Sequence, residues 1–162
     1  MNLFDKSIKN AINYIKNENK GKKIGFTCSC FDILHTGHAI MLKDAADQCD
    51  ILVIALQTDP TIDRPEKNKP VQSYEERLIM VQSIKYVNYV IQYATEADLI
   101  EILKYLKPDV RIIGSDWEGK QYTGHDLPIK MYWHHRNHDY STSGLRKRIN
   151  EAEKSKIFKK EL

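Results

Sequence analysis

Apolar positions along the chain change period several times, and each change marks an element. Leu3, Phe4, Ile8, Ala11, Ile12 and Ile15 recur at helical spacing and predict an amphipathic helix over 3–17. Asn17 to Lys23 is polar and holds Gly21, which reads as a linker. Residues 1–22 thus form an N-terminal helix and linker. A domain over 23–156 follows, with 157–162 left as a tail. Lys23 to Thr27 predicts a short strand, and His35 to Gln48 a helix with Ala39, Ile40, Leu42 and Ala46 on one side. Ile51 to Leu56 is unbroken apolar sequence, as expected of a parallel strand buried on both faces.

Residues 57–70 hold three prolines and many charges, and predict a long mobile loop. Ser73 and Glu76 fit a capping box ahead of a helix reaching Lys85. Tyr89 to Gln92 is a short strand. Thr95 caps a helix over Glu96 to Leu106 that stops before Pro108. Val110 to Ile113 and Ile129 to Trp133 are strands, and Ser141 or Ser143 caps a last helix running to about Lys156.

Strand and helix alternate at least four times. That predicts an α/β single domain with a doubly wound parallel sheet and helices on both faces. Such sheets bind ligands beyond the carboxyl ends of their strands, so the strand-to-helix turns are where chemistry is expected.

Composition narrows the class. Hydrophobic residues are 41% and charged residues 29% of the 162, which excludes a disordered chain. No apolar run approaches the ~20 residues of a membrane span, and the first residues lack an apolar signal segment. A soluble cytoplasmic protein is expected. The net charge of +3 is too balanced for a concentrated nucleic-acid-binding face and suits a small anionic ligand better. Three cysteines imply no disulfide framework.

The first strand-to-helix turn, Cys30 to His38, concentrates the chemistry. His35 and His38 are three apart at a helix start, where free amides and the helix dipole favour an anion. Gly37 would let a phosphate approach the backbone. The pattern reads as a phosphate cradle with two imidazole donors, or equally as a capping histidine beside a surface one. A zinc site from Cys28, Cys30, His35 and His38 fits no common ligand spacing. No two of the seven glycines stand two apart, and no Walker A lysine follows a glycine, so common NAD and P-loop sites are disfavoured.

The run Phe31 to His38 resembles the HxGH signature of the nucleotidyltransferase superfamily. Ser73-Tyr74-Glu75-Glu76-Arg77 resembles the SYExR segment of glycerol-3-phosphate cytidylyltransferases. Gly114 to Lys120 resembles their GxDWEGK segment, and Arg136 to Ser143 occupies the place of their RTxGISTT motif. Four segments in the right order cover about residues 23–150.

This resemblance implies a Rossmann-like domain, usually a homodimer. It would join CTP, with Mg2+, to a phosphorylated polyol and release pyrophosphate. No metal-ligating side chain, nucleic acid or membrane is implied. The attacking phosphate oxygen is already ionised at neutral pH, so positioning and charge neutralisation carry the reaction. By resemblance, His35 and His38 steady the transition state, and Lys67 and Lys69 close over the phosphates. Arg136 grips the nucleotide, and Ser141 and Thr142 bond the triphosphate. Cys30, Phe31, Asp116, Trp117 and Asn137 complete the nucleotide site, and Asp59, Arg77 and Lys85 face the acceptor, Arg77 either holding phosphate or bracing the site.

Departures from the family pattern bear on the substrates. Cys30 stands where Thr is usual, Asn137 where Thr, Asp139 where Gly, Lys85 where Arg and Asn88 where Asp. The acceptor can therefore be a larger polyol phosphate or another sugar-linked phosphate. Two alternatives remain: an adenylyltransferase of the same superfamily acting on a sugar phosphate or FMN, and a non-catalytic nucleotide-binding module.

Overall fold

The structure, a computed structural model, describes the backbone of residues 3–160 and the side chains of residues 6–156. The elements are α1 (Leu3–Glu18), β1 (Ile24–Ser29), α2 (Thr36–Ala46), β2 (Ile51–Gln57), α3 (Tyr74–Gln82), β3 (Tyr89–Tyr93), α4 (Glu96–Leu106), β4 (Val110–Gly114), β5 (Met131–His134) and α5 (Thr142–Lys160). The strands form one sheet of order β3-β2-β1-β4-β5, and every pairing is parallel. This is the Rossmann-like α/β fold that strand–helix alternation predicts.

The unbroken apolar run of β2 has a direct reason. Ile51, Val53 and Ala55 join a core with Phe26, Ile91, Leu99 and Ile102. Leu52, Ile54 and Leu56 join another with Leu42, Val81, Val110 and Ile112. Successive strand residues point to opposite faces, and both faces are covered. In α4, Leu99, Ile102, Leu103 and Leu106 are buried at helical spacing. Thr95 and Asp98 form its capping box, and Lys107, at φ 50°, ends it in the left-handed region. Ile12 and Ile15 of α1 sit in the same core as Ile102 and Leu106, so α1 packs on α4 and on β3, an edge strand. Leu3 and Phe4 lie outside the described side chains.

Several boundaries differ from expectation. β1 runs on to Ser29 because its amides find partners along β2 as far as Leu56. α3 ends at Gln82 rather than Lys85, where the Ser83 hydroxyl donates to the Met80 carbonyl at 2.7 Å. β5 begins at Met131, the partner of Arg111; Pro128, which lacks an amide hydrogen, precedes it. α5 continues to Lys160.

The 57–70 segment is not a loose loop. A 3-10 turn over Pro60–Ile62 is capped by Asp59. Arg64 then ties the segment down, donating to Gln57 at 2.7 Å and pairing with Glu96 at 2.8 Å. No helix among the described residues is long and apolar enough to cross a membrane.

Candidate active site

Strand order reverses between β1 and β4, and a cleft of about 870 Å3 opens above the carboxyl ends of the strands there. Its nucleus is the turn from β1 into α2. Phe31 and Ile33 both hold positive φ, 50° and 48°. Such backbone strain persists only where surroundings fix it. Here Asp32 Oδ1 accepts the amides of Val71 and Gln72 at 3.0 Å each, and Gln72 Oε1 accepts the Ile33 amide at 2.7 Å. Phe31 is buried and meets the His38 ring edge-on at 5.2 Å.

His35 is the N-cap of α2, and its Nδ1 accepts the Gly37 amide at 3.0 Å. In the neutral ring the proton is then on Nε2, which donates to Thr142 Oγ1 at 3.2 Å. His38 completes the capping box, its Nδ1 accepting the His35 amide at 3.4 Å. The two rings stack at 3.9 Å. In both rings Nδ1 serves the helix start and fixes the tautomer, so Nε2 carries the proton, which His35 gives to Thr142. Burial lowers the His35 pKa, and the charges of His138 and Arg136 add to it. Burial, His35 and Arg136 bring His38 down to about 4. Both imidazoles are thus neutral donors at pH 7.

Gly37 lines the cleft and also has a packing role. A Cβ there would lie 2.9 Å from the Tyr140 carbonyl oxygen, so the glycine admits the segment entering α5. That segment brings the second helix start alongside the first. Ser141 Oγ accepts the Gly144 amide at 3.1 Å. Arg146, one turn further on, pairs with the buried Asp32 at 2.6 Å.

The cleft gathers many of the residues singled out in the sequence: Cys30, Phe31, His35, His38, Lys67, Asp116, Trp117, Arg136, Ser141 and Thr142. Arg136 is half-exposed and pairs with Asp116 at 3.1 Å. Burial raises the Cys30 pKa, so its thiol is neutral. Lys69 and the exposed Asn137 are not among the lining residues; the Lys69 carbonyl accepts from Arg146 at 3.2 Å.

The expected acceptor residues are corrected. Arg77 is only 1% exposed. Its guanidinium donates to the carbonyls of Cys30, Gln57, Thr58, Gln72 and Ser73, so it braces the cleft floor and does not face a ligand. Asp59 Oδ1 accepts from the amide and hydroxyl of Thr61 and lies outside the lining. Lys85 precedes β3, at the amino ends of the strands and away from the cleft. Its neighbour Asn88 is equally structural, bonding Leu52 at the start of β2.

Sequence reasoning missed two histidines. His134 ends β5 with its Nδ1–H donating to Asp44 at 2.6 Å, and Asp44 also accepts from Tyr132. His138 Nδ1 accepts the Tyr140 amide at 3.2 Å. The Nε2 of each is buried and unpaired, and both residues line the cleft. His138 lay inside the fourth motif, a signal that was available. The other half of the cleft is lined by Gln57, Arg64, Tyr93, Glu96, Arg111 and Thr123, and no local motif announces it.

Against known sequences, the profile of the cytidylyltransferase-like family matches residues 26–148. The chain belongs to this family. Cytidylyltransferase-like relatives include the bifunctional protein HldE of Campylobacter curvus, 34% identical over 154 residues, 93% of this chain and 33% of that protein. HldE of Aliarcobacter butzleri is 35% identical over 140 residues, 86% of this chain and 29% of that protein. The chain thus spans about a third of the length of these relatives. Among solved structures, a lipopolysaccharide core biosynthesis protein from Thermoplasma volcanium superposes with a TM-score of 0.59 at 25% identity, covering 75% of this chain and all of that one. Pantoate-β-alanine ligase from Francisella tularensis, at 15% identity, TM-score 0.57 and 81% and 66% coverage, shares the fold.

Proposed function

We propose that this cytidylyltransferase-like chain transfers the nucleotidyl group of ATP to the phosphate of a phosphorylated sugar, forming a nucleoside diphosphate sugar and pyrophosphate. The observation that carries the transfer reaction is the meeting of two helix starts at His35 Nε2 and Thr142 Oγ1, 3.2 Å apart. Helix N-termini and neutral donors converge there on one volume, as a triphosphate tail requires. The sugar-phosphate acceptor draws support from the HldE relatives and from the Thermoplasma volcanium protein, whose name places it in lipopolysaccharide core synthesis.

In this reading the acceptor phosphate oxygen attacks the α-phosphorus in line. The bond from the α-phosphorus to the α,β-bridging oxygen breaks, and pyrophosphate leaves. His35 and His38 donate Nε2–H to phosphate oxygens as charge builds, and Lys67 and Arg136 supply positive charge. Among the described residues no group of three or more His, Cys, Asp or Glu side chains is placed to hold a metal ion. Mg2+ would ride on the triphosphate with water ligands, neutralising phosphate charge. A cytoplasmic location and a homodimer belong to the same reading. Exposed Val71, Ile79 and Met80 before and on α3 offer apolar surface for the dimer, which sedimentation would test.

Transfer from CTP is a second reading, favoured by Asp116 and Trp117 of the Gly114–Lys120 segment lining the cleft. The deciding experiment measures pyrophosphate release with each of the four ribonucleoside triphosphates and a panel of sugar and polyol phosphates. ATP with a sugar phosphate is expected to be fastest. Preference for CTP with a polyol phosphate would select the second reading.

A further inference from the structure

Arg111 is the second residue of β4, a strand paired in parallel on both sides, and is only 3% exposed. Its neighbours Val110 and Ile112 enter the core on the α2 and α3 side, so Arg111 points to the other face. There its guanidinium donates to the Thr123 carbonyl at 2.5 Å, lies 4.0 Å from Cys28 Sγ and stacks over Tyr122 at 5.3 Å. None of these partners is a carboxylate. Burial pushes the Cys28 thiol pKa up, so it offers no counter-charge. Arg111 Nε is buried without any partner. A buried cation without a counter-ion is costly, and the cost falls when an oxygen-rich or anionic ligand arrives.

The surroundings fit such a ligand. Arg64, also with an unpaired buried Nε, pairs with Glu96, which accepts from the Thr123 hydroxyl. These residues form one bonded chain, which Asp63 joins by accepting the Glu96 amide at 2.6 Å; the Glu96 carboxylate pairs with Arg64 and not with Arg111. Gly124, at φ 73°, lets the covering segment approach; a Cβ there would lie 3.3 Å from Arg111 Nη1. Arg64, Glu96, Arg111 and Thr123 all line the cleft, on the half away from the histidine pair.

We propose that Arg111, assisted by Arg64, anchors the acceptor by bonding the hydroxyl and anionic oxygens of a phosphorylated sugar. This rests on the nucleotidyl-transfer reading above and assigns the acceptor half of the cleft. Glu96 and Thr123 orient the two guanidinium groups. The polar groups of this wall suit the hydroxyl groups of a sugar better than the isoalloxazine ring of FMN, of which only the ribityl phosphate would meet the guanidinium groups.

The test uses the full chain and its Arg111→Met, Arg111→Lys and Arg64→Gln variants. Initial rates of pyrophosphate release are measured with nucleotide and acceptor varied separately. The acceptors are glucose, mannose and heptose 1-phosphates, and FMN. Wild type is expected to use a sugar phosphate and not FMN. Arg111→Met should raise the acceptor KM about tenfold or more while the nucleotide KM changes by less than about twofold. Arg111→Lys should recover part of the loss, and Arg64→Gln should shift the same KM by less. A purely structural Arg111 would move both KM values together, and that result overturns the assignment. Should Arg111→Met fail to fold, the same split is read from Arg111→Lys and Arg64→Gln. An enzyme that turns over FMN alone overturns the acceptor assignment and leaves nucleotidyl transfer standing. One that releases no pyrophosphate with any pair overturns both.

Discussion

Asp32 Oδ2 lies 2.6 Å from the guanidinium of Arg146, joining the turn after the first strand to the last helix. Burial works against the Asp32 charge, but the Gln72 amide, Arg146 and the Val71 amide outweigh it and lower its pKa. One carboxylate thus ties the turn into α2 to the first turns of α5. Arg146→Met should cut turnover by about tenfold to a hundredfold, since small misplacements of reacting groups are expensive. Steady-state kinetics alongside circular dichroism would show this; unchanged kcat would refute the tether.

Replacing His35 or His38 by Ala should lower kcat by more than about a hundredfold, by analogy with removal of an oxyanion donor. The fold should persist for His38→Ala. His35→Ala also removes the α2 cap and should lower stability by about 1 kcal/mol. Thermal melts and single-turnover rates separate the two effects.

Acid should weaken the protein in two stages. The His38 pKa falls from 6.5 to about 4 on folding, so between those values the unfolded chain binds more protons. The associated stability is full above pH 6.5 and is lost as pH drops towards 4. Asp32 has the opposite charge type with a lowered pKa, and its contribution is present above pH 3.8 and lost below it. Melting temperature should fall from pH 6.5 to 4, and His38→Gln should flatten that limb. A His38→Gln slope equal to wild type would contradict the shift.

Arg77→Met should be a stability defect. Five carbonyl oxygens lose their donor inside the protein, at a cost of about 2–5 kcal/mol. Urea titration should show a lower midpoint, while the folded fraction keeps its KM for both substrates. A selective rise in acceptor KM would instead return Arg77 to the ligand.

How much of this was legible in the chain depends on how local the information is. The turn at Phe31–His38 and the Ser141 cap are contiguous, so their chemistry shows at short range. The buried run of β2 reveals parallel strands because both of its faces are apolar. Arg77 and Lys85 misled for one reason: a motif names residues without saying which end of the sheet they reach. Lys85 lies at the amino ends, and Arg77 turns inward to backbone carbonyls. The Arg64–Glu96–Thr123–Arg111 chain is assembled from four separate stretches, and only the fold brings them together.

Helix α5 is held at its first turns through Thr142 and Arg146, whereas every residue from Lys147 to Lys156 is exposed. It is a cantilever whose root forms one wall of the cleft. Whatever fills the cleft therefore stiffens the beam as well, and occupancy should register along 147–156 as slower amide hydrogen exchange, far from any atom the ligand touches.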